Sequence, residues 1–119
     1  MINNLLWVGL GGAAGSIIRY LLQRLTNLPS FPFGTLLVNI SGCLLIGLLW
    51  GALNKNAAGE TGRLFLVTGF CGGFTTFSAF TLESLQLMNE EKWLYFFVYL
   101  AASIFGGLLA TFCGFKITN

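Results

Sequence analysis

Histidine is absent from this 119-residue chain, and charge is scarce: Lys, Arg and Glu together make up 8% of it. A soluble domain carries about 25% charged residues, so this chain cannot cover a water-facing surface. Its net charge of +2 is small and scattered, which argues against a nucleic-acid partner. No nucleophile–base pair or metal-ligand cluster is visible, which makes an enzyme the least expected class. The three cysteines, Cys43, Cys71 and Cys113, lie far apart in apolar stretches without a CxxC spacing. That disfavours zinc and thioredoxin-like chemistry, and the thiols read as small packing groups. No basic residue precedes Arg19, so the positive region of a signal peptide is lacking and the first apolar stretch is expected to be retained.

What the chain has is apolar length. It is 55% hydrophobic with a mean hydropathy of +0.80, the profile of an integral membrane protein. A span needs about 20 mainly apolar residues. The pattern predicts an all-α, four-span membrane domain over 1–119, with spans of about 4–25, 34–53, 63–87 and 93–115. Pro29 and Pro32 fit the first loop and the start of the second helix. Trp7, Trp50 and Trp93 fall near span ends, as interfacial tryptophans do. Small residues at helical spacing offer close-packing faces: Gly11 with Gly15, Gly47 with Gly51, and Gly106, Ala110 and Gly114. Such faces suit packing within one chain or between two.

Four helices are few walls for an ion path, so a transport role predicts at least a dimer. Four spans put both termini on one side, together with Lys55, Arg63 and Lys116; the other side holds Arg19, Arg24 and Lys92. Three against three gives no positive-inside preference. Insertion in both orientations would allow an antiparallel homodimer with its two-fold axis in the membrane plane, a two-chain version of the inverted repeats of many transporters.

The third span carries "GFCGGFTTFSAF", residues 69 to 80. Glycine costs about 1 kcal/mol in a helix interior relative to alanine, so Gly69, Gly72 and Gly73 predict a break at its middle. Freed carbonyls at membrane depth persist only when buried in protein or lining a polar cavity, where they are hard ligands for an alkali cation. The alternative is an intact helix with glycines for packing and hydroxyls bonded to the preceding turn. Phe77 and Phe80 share a face at i and i+3. They are either packing groups or a pair whose electropositive ring edges attract a dehydrated anion without a fixed charge, in keeping with conduction, where an ion must also leave. Thr35 and Asn39 are one turn apart in the second span, and Tyr95, Tyr99 and Ser103 form a hydroxyl stripe in the fourth, continued by Gly107 and Thr111. These groups would complete a polar path or bond between helices. Arg19, near the end of the first span, either snorkels or makes an electropositive vestibule; Glu83 would pair or hydrogen-bond.

Three stretches, "GGAAGSIIRY", "GTLLVNISGCLLIG" and "GFCGGFTTFSAF", together resemble the CrcB/Fluc fluoride channels, and the resemblance covers all four spans. It implies a dual-topology antiparallel homodimer in the bacterial inner membrane, exporting fluoride passively through two pores built from both subunits. By motif match, Phe77 and Phe80 are the ring-edge ligands, Asn39 the polar pore residue and Ser103 the fourth-span serine. The Gly72 and Thr75 carbonyls match those that bind a central structural sodium ion. Arg19 matches the first-span arginine, and Glu83 the acid after the aromatic pair. Ala79 departs from the family's usual "TTFSTF", which removes one hydroxyl from the path. The main rival is a small multidrug-resistance-type exporter coupled to protons, for which Glu83 is the sole candidate carboxylate; a non-transporting helical assembly is a second.

Overall fold

The computed structural model describes residues 1–55 and 59–119. Among the described residues, four helical stretches are long and apolar enough to cross a membrane: Ile2–Thr26, Phe33–Leu53, Gly59–Asn89 and Trp93–Thr118. The first is α1 (Ile2–Thr26) and the second belongs to α2 (Phe33–Lys55). The third stretch is composite. It comprises α3 (Gly59–Arg63), a π-helical segment Leu64–Cys71, the single turn α4 (Gly72–Phe74) and α5 (Phe77–Asn89). The fourth stretch is α6 (Trp93–Thr118).

Two pairings build the molecule. α2 lies along α6, and α1 lies along the first half of the third stretch. Both rest on backbone approach at glycines. A Cβ on Gly15 would run into the Phe70 carbonyl, and one on Gly11 into the Phe65 carbonyl. Across the other seam, a Cβ on Gly47 would meet the Thr111 carbonyl, and one on Gly114 the Leu44 carbonyl. Without a hydrophobic drive between helices in lipid, such contact is what holds them together. Gly11, Gly15, Gly47, Gly51 and Gly114 therefore pack within one chain.

The Asn27–Pro32 connection folds back on itself. Leu28 N–H donates to the Phe31 carbonyl at 3.1 Å, and Phe31 N–H to the Leu28 carbonyl at 3.3 Å. This plugs Phe31 into a small core with Phe80, Leu87 and Tyr99.

Candidate functional site

The third stretch is interrupted, as its composition predicts, but at a different place and for a different reason. The break falls at Thr75 (φ −83°, ψ 156°) and Thr76 (φ −149°, ψ 120°), both extended, beyond the glycines. Gly69 and Gly73 instead allow close approach to α1: a Cβ on Gly73 would lie 2.5 Å from the Gly12 carbonyl oxygen.

Each backbone group freed at the break needs a partner at membrane depth. In an unbroken helix the Thr76 N–H would bind the carbonyl four residues back, on Gly72. Here it donates to Asn39 Oδ1 at 2.8 Å, while Asn39 Nδ2 donates to the Thr76 carbonyl at 3.0 Å. The side-chain amide of α2 thus replaces the helical partner of the Thr76 N–H and adds a second donor at the Thr76 carbonyl. Thr76 Oγ1 then caps α5 by accepting from Ala79 N–H at 3.2 Å. Arg19 Nε donates to the Gly73 carbonyl at 2.9 Å, so this α1 arginine also holds the break. Thr75 Oγ1 bonds back to the Cys71 carbonyl at 2.8 Å, the turn-bonded hydroxyl of the intact-helix reading carried over into a broken one.

Beside the break lies a cleft of about 260 Å³ lined by Asn39, Thr75, Thr76, Phe77, Phe80 and Ser103, with Cys43 and Ile104. Four expected pore residues from three spans, Asn39, Phe77, Phe80 and Ser103, meet here. Among the described residues, no ionisable side chain other than the Cys43 thiol lines it. Asn39 retains one amide N–H, since a primary amide carries two. Ser103 Oγ is buried and has no hydrogen-bond partner among the described residues. Phe80 is 8% exposed, its centroid 5.2 Å from Tyr99 and 5.8 Å from Phe77. Phe77 is 77% exposed. One ring is fixed by the fold and the other stands free.

The remaining expected pore residues are placed elsewhere. Thr35 Oγ1 donates to Glu83 Oε1 at 2.8 Å, and Tyr99 OH donates to Glu83 Oε2 at 3.0 Å. Gln23 Nε2 completes the chain by donating to Thr35 Oγ1 at 3.0 Å. Thr35 and Tyr99 are fully buried. A carboxyl group in a membrane segment takes the hydroxyl donors within reach, because a buried polar group without partners is costly. The Thr35 and Tyr99 hydrogens are thus donated to Glu83, and neither residue lines the cleft. Tyr95 packs edge-on against Phe31, its ring centroid 5.9 Å away, and also lies outside the cleft. The α6 stripe therefore divides: its tyrosines serve Glu83 and Phe31, Ser103 reaches the cleft, and Thr111 Oγ1 bonds to the Cys43 carbonyl at 3.1 Å. Glu83 also borders a shallow mouth of about 130 Å³ with Asn27, Gln86 and Glu90.

A further cavity, of about 320 Å³, lies between α2 and the third stretch. Gly72 and Thr75 line it, together with Gly42, Cys43 and Thr68. Gly72 opens onto space that a Cβ would not fill. Its carbonyl has lost the Thr76 N–H to Asn39. Backbone carbonyls without helical donors are the hard, neutral ligands that sodium takes, so the donor chemistry fits such an ion.

Sequence reasoning missed Gln23, Phe31, Cys43 and the π-helical segment. Gln23 carries no periodic signal, and Phe31 sits in a loop where aromatic residues have no pattern to break. Cys43 was legible in principle, one turn beyond Asn39 on the same helix face.

The family model for the CrcB-like protein, Camphor Resistance (CrcB), matches residues 6–115. The fluoride-specific ion channel FluC of Flavobacterium psychrophilum is 44% identical, with 99% of this chain and 98% of that protein covered. The FluC of Chlorobium luteolum is 46% identical over 93% of this chain and 88% of that protein. A third FluC, from Rhizobium meliloti, is 43% identical over 98% and 96% of the two chains. The motifs around Arg19, Asn39 and the interrupted third stretch thus lie within a match that runs nearly end to end, and the chain belongs to the CrcB-like family.

Proposed function

We propose that this protein is a passive, fluoride-selective ion channel that lets cytosolic fluoride leave down its gradient. It is no enzyme. Support comes from its family, whose similar members bear the name of fluoride-specific channels, and from the chemistry of one cleft. The carrying observation is a set of neutral, electropositive groups around it: the Ser103 hydroxyl without a partner, the spare Asn39 N–H, and the rims of Phe77 and Phe80. Fluoride is small and strongly hydrated. Hydroxyl and amide donors replace part of its water, and ring edges carry it where no donor stands. Among the described residues, no lysine or arginine lines the cleft to hold the ion too tightly to leave. Hydrogen fluoride crosses a membrane neutral and ionises inside, so a passive path helped by an inside-negative potential relieves the trap. That potential contributes about 2.3 kcal/mol per charge per 100 mV.

The functional unit in this reading is an antiparallel homodimer of dual topology in the inner membrane. One chain leaves the cleft open and Phe77 exposed at its rim; an inverted second copy closes the wall and supplies the facing groups. In such a pair the cavities at Gly72 and Thr75 come together, and their carbonyls would hold a structural sodium ion. That ion would supply positive charge that ties the two breaks together.

The exporter alternative loses its one carboxylate. Both Glu83 oxygens are engaged by buried hydroxyls, Thr35 on one and Tyr99 on the other, an arrangement suited to a structural role. The test is efflux from liposomes containing purified protein. Fluoride should leave without a proton gradient, and chloride should stay. Phe80→Ile should slow fluoride efflux at least tenfold; unchanged conduction in that variant would overturn the assignment of the ring edges.

A further inference from the structure

Apart from the ion path, α2 and α6 enclose a groove of about 560 Å³ nearer the membrane face that holds both termini. Its walls are Ile46, Trp50, Leu108, Phe112 and Phe115. The wall from residue 108 to residue 115 runs about 10 Å along α6 at 1.5 Å per residue. Two cations stand over its rings. The Arg63 guanidinium carbon is 5.3 Å from the Trp50 ring centroid, and Lys116 Nζ is 5.6 Å from that of Phe112. Neither is neutralised by a carboxylate: among the described residues the one ion pair is Lys92 with Glu90, at 3.0 Å.

We propose that this groove is a binding site for an anionic phospholipid, with an acyl chain against Ile46, Leu108 and Phe112 and the headgroup phosphate between Arg63 and Lys116. An apolar slot capped by two unpaired cations asks for one molecule with both a tail and a negative head. Rings that hold the cations in place pre-set the headgroup site. Anionic headgroups attract such basic residues near the membrane surface. A second copy of the chain fits less well. An inverted copy brings Arg19, Arg24 and Lys92 to this face against Glu90 and Glu91, with Glu90 already paired. It therefore offers no excess of acid. The proposal does not depend on which ion the channel passes.

Trp50 lines the groove and reports on it directly. With Trp7→Phe and Trp93→Phe, Trp50 becomes the sole tryptophan. The protein is reconstituted in equimolar phosphatidylglycerol and phosphatidylcholine, with dibrominated chains on one lipid or the other. Quenching by brominated phosphatidylglycerol should exceed that by brominated phosphatidylcholine at least twofold. Adding Arg63→Gln and Lys116→Gln should bring the ratio to one, and 1 M salt should lower it in the parent without any substitution of the cations. Because both lipids are read by the same tryptophan, a change in its own environment cancels in the ratio. Equal quenching from the outset means ordinary boundary lipid and overturns the site. Absence of quenching by either lipid means that protein covers the groove, and overturns it too. A preference unmoved by both salt and the double substitution removes the cations from the argument and does the same.

Discussion

Polar side chains around the break divide into two kinds, and a substitution tells them apart. Ser103 has a buried hydroxyl with no partner among the described residues. Removing it relieves an unsatisfied group, so Ser103→Ala should leave the melting temperature unchanged or raised while fluoride efflux falls several-fold. Thr35 is the opposite case, a donor to the Glu83 carboxyl. Leaving a buried polar group without its partner costs about 1–3 kcal/mol. Thr35→Val should therefore cost stability on that order, read by thermal unfolding in detergent, and strip one donor from the carboxylate. Asn39 belongs to both kinds, because it satisfies Thr76 and lines the cleft. Asn39→Ala should lose about 2 kcal/mol of stability and most of the conduction, and a stable, conducting variant would contradict both roles. From sequence, Asn39 and Ser103 stand out as polar residues at mid-membrane, whereas Phe77 and Phe80, ordinary packing residues there, were legible as path groups only through the family motif. Thr35 and Tyr99 carry the same chemical signature as Asn39 and Ser103 and fall into the same group. Only the position of Glu83 separates donors that stabilise a carboxylate from those that face an open cleft, and no periodicity encodes that.

Among the helices, the third stretch shows how far composition reaches. Its glycines announce a weak helix, and the helix is indeed interrupted. Yet the glycines permit contact with α1, while the extended residues are Thr75 and Thr76. A break occurs where replacement partners exist, here the Asn39 amide and Arg19, and those belong to other elements. The π-helical segment Leu64–Cys71 was not legible for a similar reason, since its wider turn is fitted to the backbone of α1 at Gly11 and Gly15. The two glycine classes should respond oppositely to a methyl group. Gly15→Ala drives a Cβ into the Phe70 carbonyl, a backbone atom that cannot swing aside. Overpacking of this kind costs about 1–3 kcal/mol, so folded yield and melting temperature should both drop. Gly72 has helical angles (φ −62°, ψ −38°), and a methyl group there would meet nothing within 4 Å. Gly72→Ala should fold as well as the parent. If the cavity at Gly72 meets its symmetry mate around sodium, that same variant should still lose conduction and dissociate more readily on dilution in lipid.

The whole molecule is short of one thing that its helices alone cannot supply, a closed wall for the cleft, and its charge distribution suggests how that wall arrives. Three basic residues on each side leave orientation undecided. Tilting that balance isolates each orientation. Arg24→Gln with Lys92→Gln leaves Arg19 alone against Lys55, Arg63 and Lys116, and should place both termini in the cytoplasm. Lys55→Gln with Lys116→Gln leaves Arg63 against Arg19, Arg24 and Lys92, and should place them outside. Arg24, Lys92 and Lys116 do not border the cleft. Reporter fusions at the C-terminus would read the orientation, and fluoride resistance of cells lacking their own exporter would read the function. Each variant expressed alone should confer at most a small fraction of the parent's resistance, because inverted pairs become rare. Expressed together, the two should restore it, since each supplies the copy that the other lacks. Full resistance from one strongly biased variant alone would mean that parallel copies, or a single chain, suffice. The antiparallel wall around Phe77 would then have to be abandoned, while the fold of the single chain would stand.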